Sequence, residues 1–132
     1  MTNKDFVIDG GVLKKYSGTD SEVTIPDSVT SIGEYAFEGC ICLNSVDVPN
    51  SVTSIAKGAF NGCTNLMSVN IPASVKYIGD SAFCSCSKLT FYCEAASQPD
   101  TWDKDWNWDD KWGWDDRYEK DPRTVVWDSK LK

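Results

Sequence analysis

Three consecutive copies of a 23-residue sequence begin at Val23, Val46 and Val69. They read VTIPDSVTSIGEYAFEGCICLNS, VDVPNSVTSIAKGAFNGCTNLMS and VNIPASVKYIGDSAFCSCSKLTF. A unit of this size cannot enclose its own apolar side, whereas stacked copies turn every aligned position into a continuous buried row. The repeat therefore predicts a solenoid, with neighbouring coils about 4.8 Å apart in the hydrogen-bonding direction. Three copies are about the minimum for stability. Both ends also need caps, because the last apolar layers would otherwise face water.

Each copy contains two local patterns. The first is an apolar-x-apolar alternation that stops at a proline, as a short strand does. The second is Val-x-x-Ile followed by Ala-Phe, which predicts another short extended piece that leads into one helical or 3-10 turn. The apolar positions that recur in all copies are predicted to form the structural ladder of the core: Ile32, Ile55, Ile78, Phe37, Phe60, Phe83, Cys40, Cys63, Cys86, Leu43, Leu66 and Leu89.

The sequence on both sides of the repeats predicts caps within a single domain of residues 1–132. Residues 1–22 contain two strand-like runs around Asp9-Gly10-Gly11, a hairpin turn signal. The repeats occupy residues 23–91, and residues 92–132 form a tail rich in Trp and Asp that includes inserted hexads. We expect the hairpin to cover the first coil and the tail to cover the last one.

The succession of apolar-x-apolar-Pro, Ser-Val, Ser-Ile-Gly, Ala-Phe and Gly-Cys closely resembles the BspA-like, or Treponema pallidum type, leucine-rich repeats. The resemblance covers residues 23–93, and both flanks look like caps of that family. It implies a right-handed, curved solenoid, usually displayed on surface proteins of anaerobic bacteria and some protozoa, with a role in adhesion rather than catalysis. Two departures from the pattern, Ala56 and Ser85, replace glycines that the other two copies carry and bear on the turn geometry there.

Composition argues against several functions. The chain carries 13 Lys and Arg against 20 Asp and Glu, a formal net charge of −7, so neither nucleic acid nor an anionic membrane is expected as a partner. No apolar run is long enough to span a bilayer, and no segment resembles a signal peptide. Histidine is absent and no set of acid, base and nucleophile can be assembled, so we expect neither enzymatic activity nor a cofactor.

Six cysteines invite a disulfide or zinc interpretation. Three of them, Cys40, Cys63 and Cys86, share one ladder position, where a free cysteine acts as a small buried hydrophobe. The distance between neighbouring coils still allows a bridge between two of them. The two C-x-C pairs of the chain lack the C-x2-C spacing of structural zinc sites, so no metal site is predicted.

All six tryptophans lie beyond residue 100, and five of them fall in three tandem hexads that each open with Trp followed by Asp. In an extended chain their aromatic positions share one face. For Trp102, Trp106 and Trp127 we favour a capping role at the end of the solenoid. The other aromatics exceed what one cap needs and are candidate ligand contacts, for example by stacking on sugar rings: Trp108, Trp112, Trp114 and Tyr118. The same acidic segment lacks the glycine and glutamate that an EF-hand calcium loop requires.

The leading functional hypothesis is a monomeric, non-enzymatic module of a cell-surface or secreted protein that binds a protein or host-surface ligand. One alternative is a carbohydrate-binding module that uses the tail aromatics, and another is an intracellular structural or interaction domain. Solenoids commonly bind through the face that carries their strands. The non-ladder positions on that face, such as Thr24, Asp47 and Asn70, are small and polar and differ between the copies.

Overall fold

The computed structural model describes residues 5–86, 88–103, 106 and 124–130. These residues contain short strands, and their bounds are β1 Phe6–Asp9, β2 Val12–Tyr16, β3 Glu22–Thr24, β4 Ser31–Ile32, β5 Ser45–Asp47, β6 Ser54–Ile55, β7 Ser68–Ile71, β8 Tyr77–Ile78, β9 Thr90–Cys93 and β10 Thr124–Val126. None of the described residues belongs to a helix long and apolar enough to cross a membrane.

The strands form two five-stranded sheets, so each repeat contributes one strand to each of two sides of a coil. Sheet A has the order β1-β2-β4-β6-β8, and sheet B has the order β10-β9-β7-β5-β3. Among the strand pairs of the described residues, only the β1–β2 hairpin is antiparallel, because every full coil returns to its starting direction. The register pairs equivalent residues of successive repeats, such as Val23 with Val46 and Ile32 with Ile55. The predicted solenoid of stacked coils is therefore confirmed.

A row of stacked aromatic rings runs along the centre of the core. The ring of Phe60 lies 4.8 Å from that of Phe37 and 5.1 Å from that of Phe83, with interplanar angles of 9° and 4°. These distances are close to the spacing of neighbouring strands, so identical residues of successive coils stack face to face. All the residues of the predicted ladder are buried except Cys40, which is only partly buried.

The second half of each repeat, where a helical or 3-10 turn was predicted, closes the third side of the coil with turns. In the first repeat the N–H groups of Ala36, Glu38 and Cys40 donate to carbonyls three residues earlier, at 3.1–3.2 Å, as in a 3-10 turn. The N–H groups between them point the other way, and that of Phe37 donates to the carbonyl of Ala59 on the next coil at 2.7 Å. Alternate N–H groups thus join this side of neighbouring coils.

A continuous helix does not form because two residues in each of these segments have positive φ. In the first repeat they are Tyr35 at 58° and Gly39 at 70°. Ser85, at the position of Gly39, keeps the same conformation with φ of 66°, so its substitution leaves the turn in place. At the other departure from the pattern, the N–H of Ala56 donates to the carbonyl of Ile32 at 2.9 Å, which preserves the bond between coils.

The β1–β2 hairpin covers the N-terminal end of the core. It turns at Gly10 and Gly11, whose φ values of 58° and 83° suit glycine, and β2 then pairs with β4. The ring of Tyr16 stacks 5.3 Å from that of Phe37 and so extends the aromatic row into the hairpin.

Indole rings cover the opposite end of the core. Trp102 and Trp106 are only 4% and 3% exposed, and Trp106 meets the ring of Phe91 edge-on at 5.1 Å. Their Nε1 groups donate to protein oxygens at 3.2 and 3.0 Å. Trp127 packs at 5.9 Å from Trp102. These three residues therefore serve the interior and end of the solenoid rather than a free aromatic surface.

Candidate ligand-binding groove

The exposed face of sheet B carries side chains in register. Along each strand, buried and exposed residues alternate. The outward-facing residues at equivalent positions of neighbouring strands therefore form one row. This row crosses all five strands of the sheet and consists of Thr24, Asp47, Asn70, Tyr92 and Val126. It changes from polar and acidic at the N-terminal side to aromatic and apolar at the C-terminal side.

A groove lies along this row. One cavity of about 640 Å³ is lined by Thr24, Asp27, Asp47, Asn70 and Lys130, among others. An adjoining cavity of about 360 Å³ shares Asp47, Asn70 and Lys130 and reaches Tyr92. Volumes of this size are typical of ligand sites. We call the two cavities together the sheet B groove.

The C-terminal segment forms one wall of the sheet B groove. After β10, Asp128 adopts a φ of 58°, and its N–H donates to the carbonyl of Ala95 at 2.8 Å. The N–H of Ser129 then donates to the carbonyl of Cys93 at 2.9 Å. These two bonds hold the chain against the end of β9 and place Lys130 in the groove opposite acidic side chains.

Asn70 supports the floor of the groove and is not available to a ligand. Its Nδ2 donates to the carbonyl of Val48, and its Oδ1 accepts from the N–H of Val48, both at 3.1 Å. The side chain thus replaces backbone pairing at the end of β5, where Pro49 interrupts the strand. This is a structural role that fixes the groove's shape.

Three groups in the groove remain available for a ligand. In the part of the chain that the structure describes, no side-chain partner is present for the Asp47 carboxylate, the Tyr92 hydroxyl or the Lys130 ammonium group. Asp47 is exposed, and 40% of Tyr92 is accessible to solvent. The groove therefore presents an anion, a cation and an aromatic ring within one surface.

Sequence reasoning missed Tyr92 because the last coil is one residue shorter than the repeat predicts. A strict period of 23 aligns Tyr92 with the buried Val69, but the structure pairs Val69 with Phe91. Phe91 is fully buried, and Tyr92 turns outward. This register places the wholly apolar ring of Phe91 in the core and keeps the hydroxyl of Tyr92 in water. The opposite register would cost free energy, because it would bury a hydroxyl group away from water. Alternation along Thr90–Cys93 is the one signal that indicates it.

The candidate ligand contacts of the tail, Trp108, Trp112, Trp114 and Tyr118, lie outside the described residues. Their role as ligand contacts therefore stays a prediction. Within the residues that it does describe, no group of three or more His, Cys, Asp or Glu side chains could hold a metal ion.

Solved bacterial proteins share this fold. A leucine rich cell surface protein from Faecalibacterium prausnitzii is 32% identical, with a TM-score of 0.58, over 67% of this chain and 31% of its own. A leucine-rich repeat protein from Eubacterium ventriosum is 29% identical, with a TM-score of 0.60, over 74% of this chain and 30% of its own. Another leucine-rich repeat protein, from Bacteroides capillosus, is 25% identical, with a TM-score of 0.68, over 93% of this chain and 98% of its own.

The present chain spans about a third of the length of the Faecalibacterium and Eubacterium proteins. No curated protein matches it significantly. Residues 15–94 match the family described as BspA type Leucine rich repeat region (6 copies). Because these residues make up more than half of the sequence, the chain belongs to the BspA-type leucine-rich repeat family.

Proposed function

We propose that the chain is a non-enzymatic binding module of a surface-associated protein, and that it holds a protein ligand in the sheet B groove. The observation that carries this proposal is the groove itself, in which Asp47, Tyr92 and Lys130 line a surface beside two strands. Three tyrosines of the described fold are exposed, Tyr35, Tyr77 and Tyr92, and of these Tyr92 lines the groove.

The order of side chains along the groove favours a particular kind of ligand. Tyr92 lies two strands from Asp47, so the two side chains are roughly 10 Å apart. Two to three residues of an extended peptide span that distance. We therefore propose a peptide segment that places an apolar side chain against Tyr92 and Val126 and a basic side chain near Asp47 and Asp27. Lys130, on the wall of the groove, would donate a hydrogen bond to a carboxylate or carbonyl oxygen of the same segment.

Tyr92 is expected to contribute most to affinity. Tyrosine is enriched among the interface residues whose truncation costs more than about 2 kcal/mol, because it buries a large ring and keeps a hydrogen-bonding group. The charged groups would contribute mainly to specificity and to the association rate, since they remain near solvent.

The surface location rests on similarity. The protein from Faecalibacterium prausnitzii is described as a leucine rich cell surface protein, and it is 32% identical over its matched part. Repeat solenoids bind through extended faces of this kind. An export signal in the native gene would support this location, and its absence would favour the intracellular interaction domain instead.

Peptide selection tests the proposed function. A displayed library of random peptides of about twelve residues is selected on the immobilised full chain, and affinities of the selected peptides are measured for the chain and its variants. We expect Tyr92→Ala to weaken binding about tenfold or more, which corresponds to about 1.4 kcal/mol. Tyr77→Ala is the matched control, because Tyr77 lies on sheet A with a similar exposure, 43% against 40%. Selected peptides that bind the Tyr92→Ala variant and the original chain equally well would refute the groove as the site.

A glycan array separates this proposal from the carbohydrate-binding alternative. Sugar binding that is lost on replacing Trp108, Trp112 and Trp114 by alanine, but kept by Tyr92→Ala, would assign the function to the tail. Peptide binding that is unaffected by the tryptophan replacements would assign it to the sheet B groove.

A further inference from the structure

The C-terminal segment of the chain, Asp128–Lys130, lies on the face of sheet B. Its first residue has a φ of 58°, which turns the chain after β10. The N–H of Ser129 donates to the carbonyl of Cys93 at 2.9 Å, at the end of β9. Lys130 then lines a cavity that extends to Thr24 on β3, at the far side of the sheet. The segment therefore reaches across the strands along the line that we propose for the ligand.

Lys130 places a positive charge beside two carboxylates of the groove. The larger cavity has Lys130, Asp27 and Asp47 among its lining residues. These acids are the groups near which we place the basic side chain of the ligand. Lys130 therefore supplies, from within the chain, the charge that the acidic end of the groove would otherwise take from a peptide.

The segment is attached loosely enough to be displaced. Within the part of the chain that the structure describes, its hydrogen bonds are the two backbone bonds to Ala95 and Cys93, and Lys130 makes no hydrogen bond or ion pair. Lys130 is exposed, and Ser129 is half-buried. Charges in contact with water attract each other weakly, and backbone bonds at the surface open more readily than those of the core. Both kinds of contact can therefore give way to a ligand.

We propose that the segment Asp128–Lys130 is a displaceable internal ligand of the sheet B groove. It competes with a peptide for Asp27 and Asp47, and this inference rests on the proposed function of the groove. When a peptide enters, its basic side chain replaces the Lys130 ammonium group beside the two acids. The ammonium group is then free for a carboxylate or carbonyl oxygen of the peptide. The groove thus selects peptides that carry a basic residue, because these compensate the acids for the loss of Lys130.

The competition weakens the apparent affinity according to the fraction of time that the groove is open. A segment that covers the groove about two-thirds of the time raises the apparent Kd about threefold. Release of the segment should therefore tighten peptide binding about threefold. A fixed wall that contacts the ligand predicts the opposite sign, because its release removes contacts.

Amide hydrogen exchange of the full chain, measured by nuclear magnetic resonance without any peptide, tests the position of the segment. The Ser129 amide should exchange about two- to fivefold faster in Asp47→Asn, because a charge that attracts Lys130 is removed and such exposed pairs are weak. The difference should shrink at high salt. Glu34→Gln is the matched control, since Glu34 is exposed in a turn and does not line the groove. Equal exchange in Asp47→Asn and the original chain would overturn the inference.

Peptide affinity tests the competition itself. The peptides selected above are titrated against two variants of the full chain: Ser129→Pro, which lacks the N–H that donates to Cys93, and Ser129→Ala, which keeps it. We expect Ser129→Pro to bind basic peptides about threefold more tightly, and Ser129→Ala to match the original chain. Unchanged or weaker binding by Ser129→Pro would show that the wall is fixed and would overturn the proposal. Urea unfolding verifies that each variant is folded.

The two proposals fail in different ways. Peptides that bind Tyr92→Ala and the original chain equally well would refute the proposed function, and with it the competition. A negative result with Asp47→Asn or Ser129→Pro, obtained with peptides that do depend on Tyr92, would refute only the displaceable segment.

Discussion

Replacing Phe60 by alanine removes the middle ring of the stacked row in the core. Phe60 is fully buried and contacts a ring on each side, at 4.8 and 5.1 Å. The neighbouring coils cannot close the gap, because hydrogen bonds on all three sides of the coil fix their spacing. The vacated volume should therefore remain as a cavity.

Buried Phe→Ala substitutions cost about 3–5 kcal/mol, and the upper half of that range applies where the site cannot collapse. A domain of this size has a free energy of unfolding of about 5–15 kcal/mol, so the variant loses a large share of it. The loss also weakens both contacts of the middle coil with its neighbours. Since solenoid stability depends on contacts between adjacent repeats, the two ends should then unfold less cooperatively.

Urea unfolding followed by two probes measures both effects. Tryptophan emission reports only on the C-terminal end, because all six tryptophans lie beyond residue 100, whereas far-ultraviolet circular dichroism reports on every coil. We expect Phe60→Ala to lower the midpoint and to separate the two transitions. Phe60→Leu should cost about 1 kcal/mol, and Tyr77→Ala on the exposed face less than about 0.5 kcal/mol. A loss below about 1 kcal/mol for Phe60→Ala would show that stacking of identical rings does not stabilise the solenoid.

Further predictions concern single side chains, each checked by chemical denaturation. Asn70→Ala should cost about 1–3 kcal/mol, because the backbone N–H and carbonyl of Val48 lose their partners, whereas Thr24→Ala in the same row should be nearly neutral. Ser85→Gly should stabilise the chain by about 0.5–1 kcal/mol by relieving a positive φ, and Ser85→Ala should not. Burial raises the pKa of the Cys93 thiol from 9.0 to about 12. The protonated thiol therefore makes its full contribution to the free energy of unfolding below pH 9. That contribution falls by up to about 4 kcal/mol as the pH rises toward 12. Cys93→Val should flatten that decline, and an unchanged slope would contradict this assignment.

The solenoid was predictable because the same residues recur in every coil. When identical side chains stack in register, periodicity alone identifies which residues share a row, and the burial of Ile55, Phe60 and Leu66 follows from their place in the repeat. The turns were harder to predict. Ala-Phe has helical spacing, but the positive φ at Tyr35 depends on hydrogen bonds between coils, which the sequence of one repeat does not display.

The groove was only partly predictable. Thr24, Asp47 and Asn70 were identified as non-ladder positions, but their different roles depend on contacts with the next coil, as the bonds between Asn70 and Val48 show. The position of Lys130 depends on the pairing of β10 with β9, strands separated by a long stretch of sequence. No local pattern indicates such a distant pairing.

Hydrogen bonds join neighbouring coils on three sides, so the number of repeats can change independently of the residues that determine binding specificity. Backbone groups make most of these bonds, so a further 23-residue copy inserted between the first and second repeats would meet compatible edges on both sides. The last coil is different, because its shortened step to Phe91 matches the cap that follows. Evolution can therefore lengthen the array from within while the C-terminal end, with Tyr92 and Lys130, is inherited as one unit.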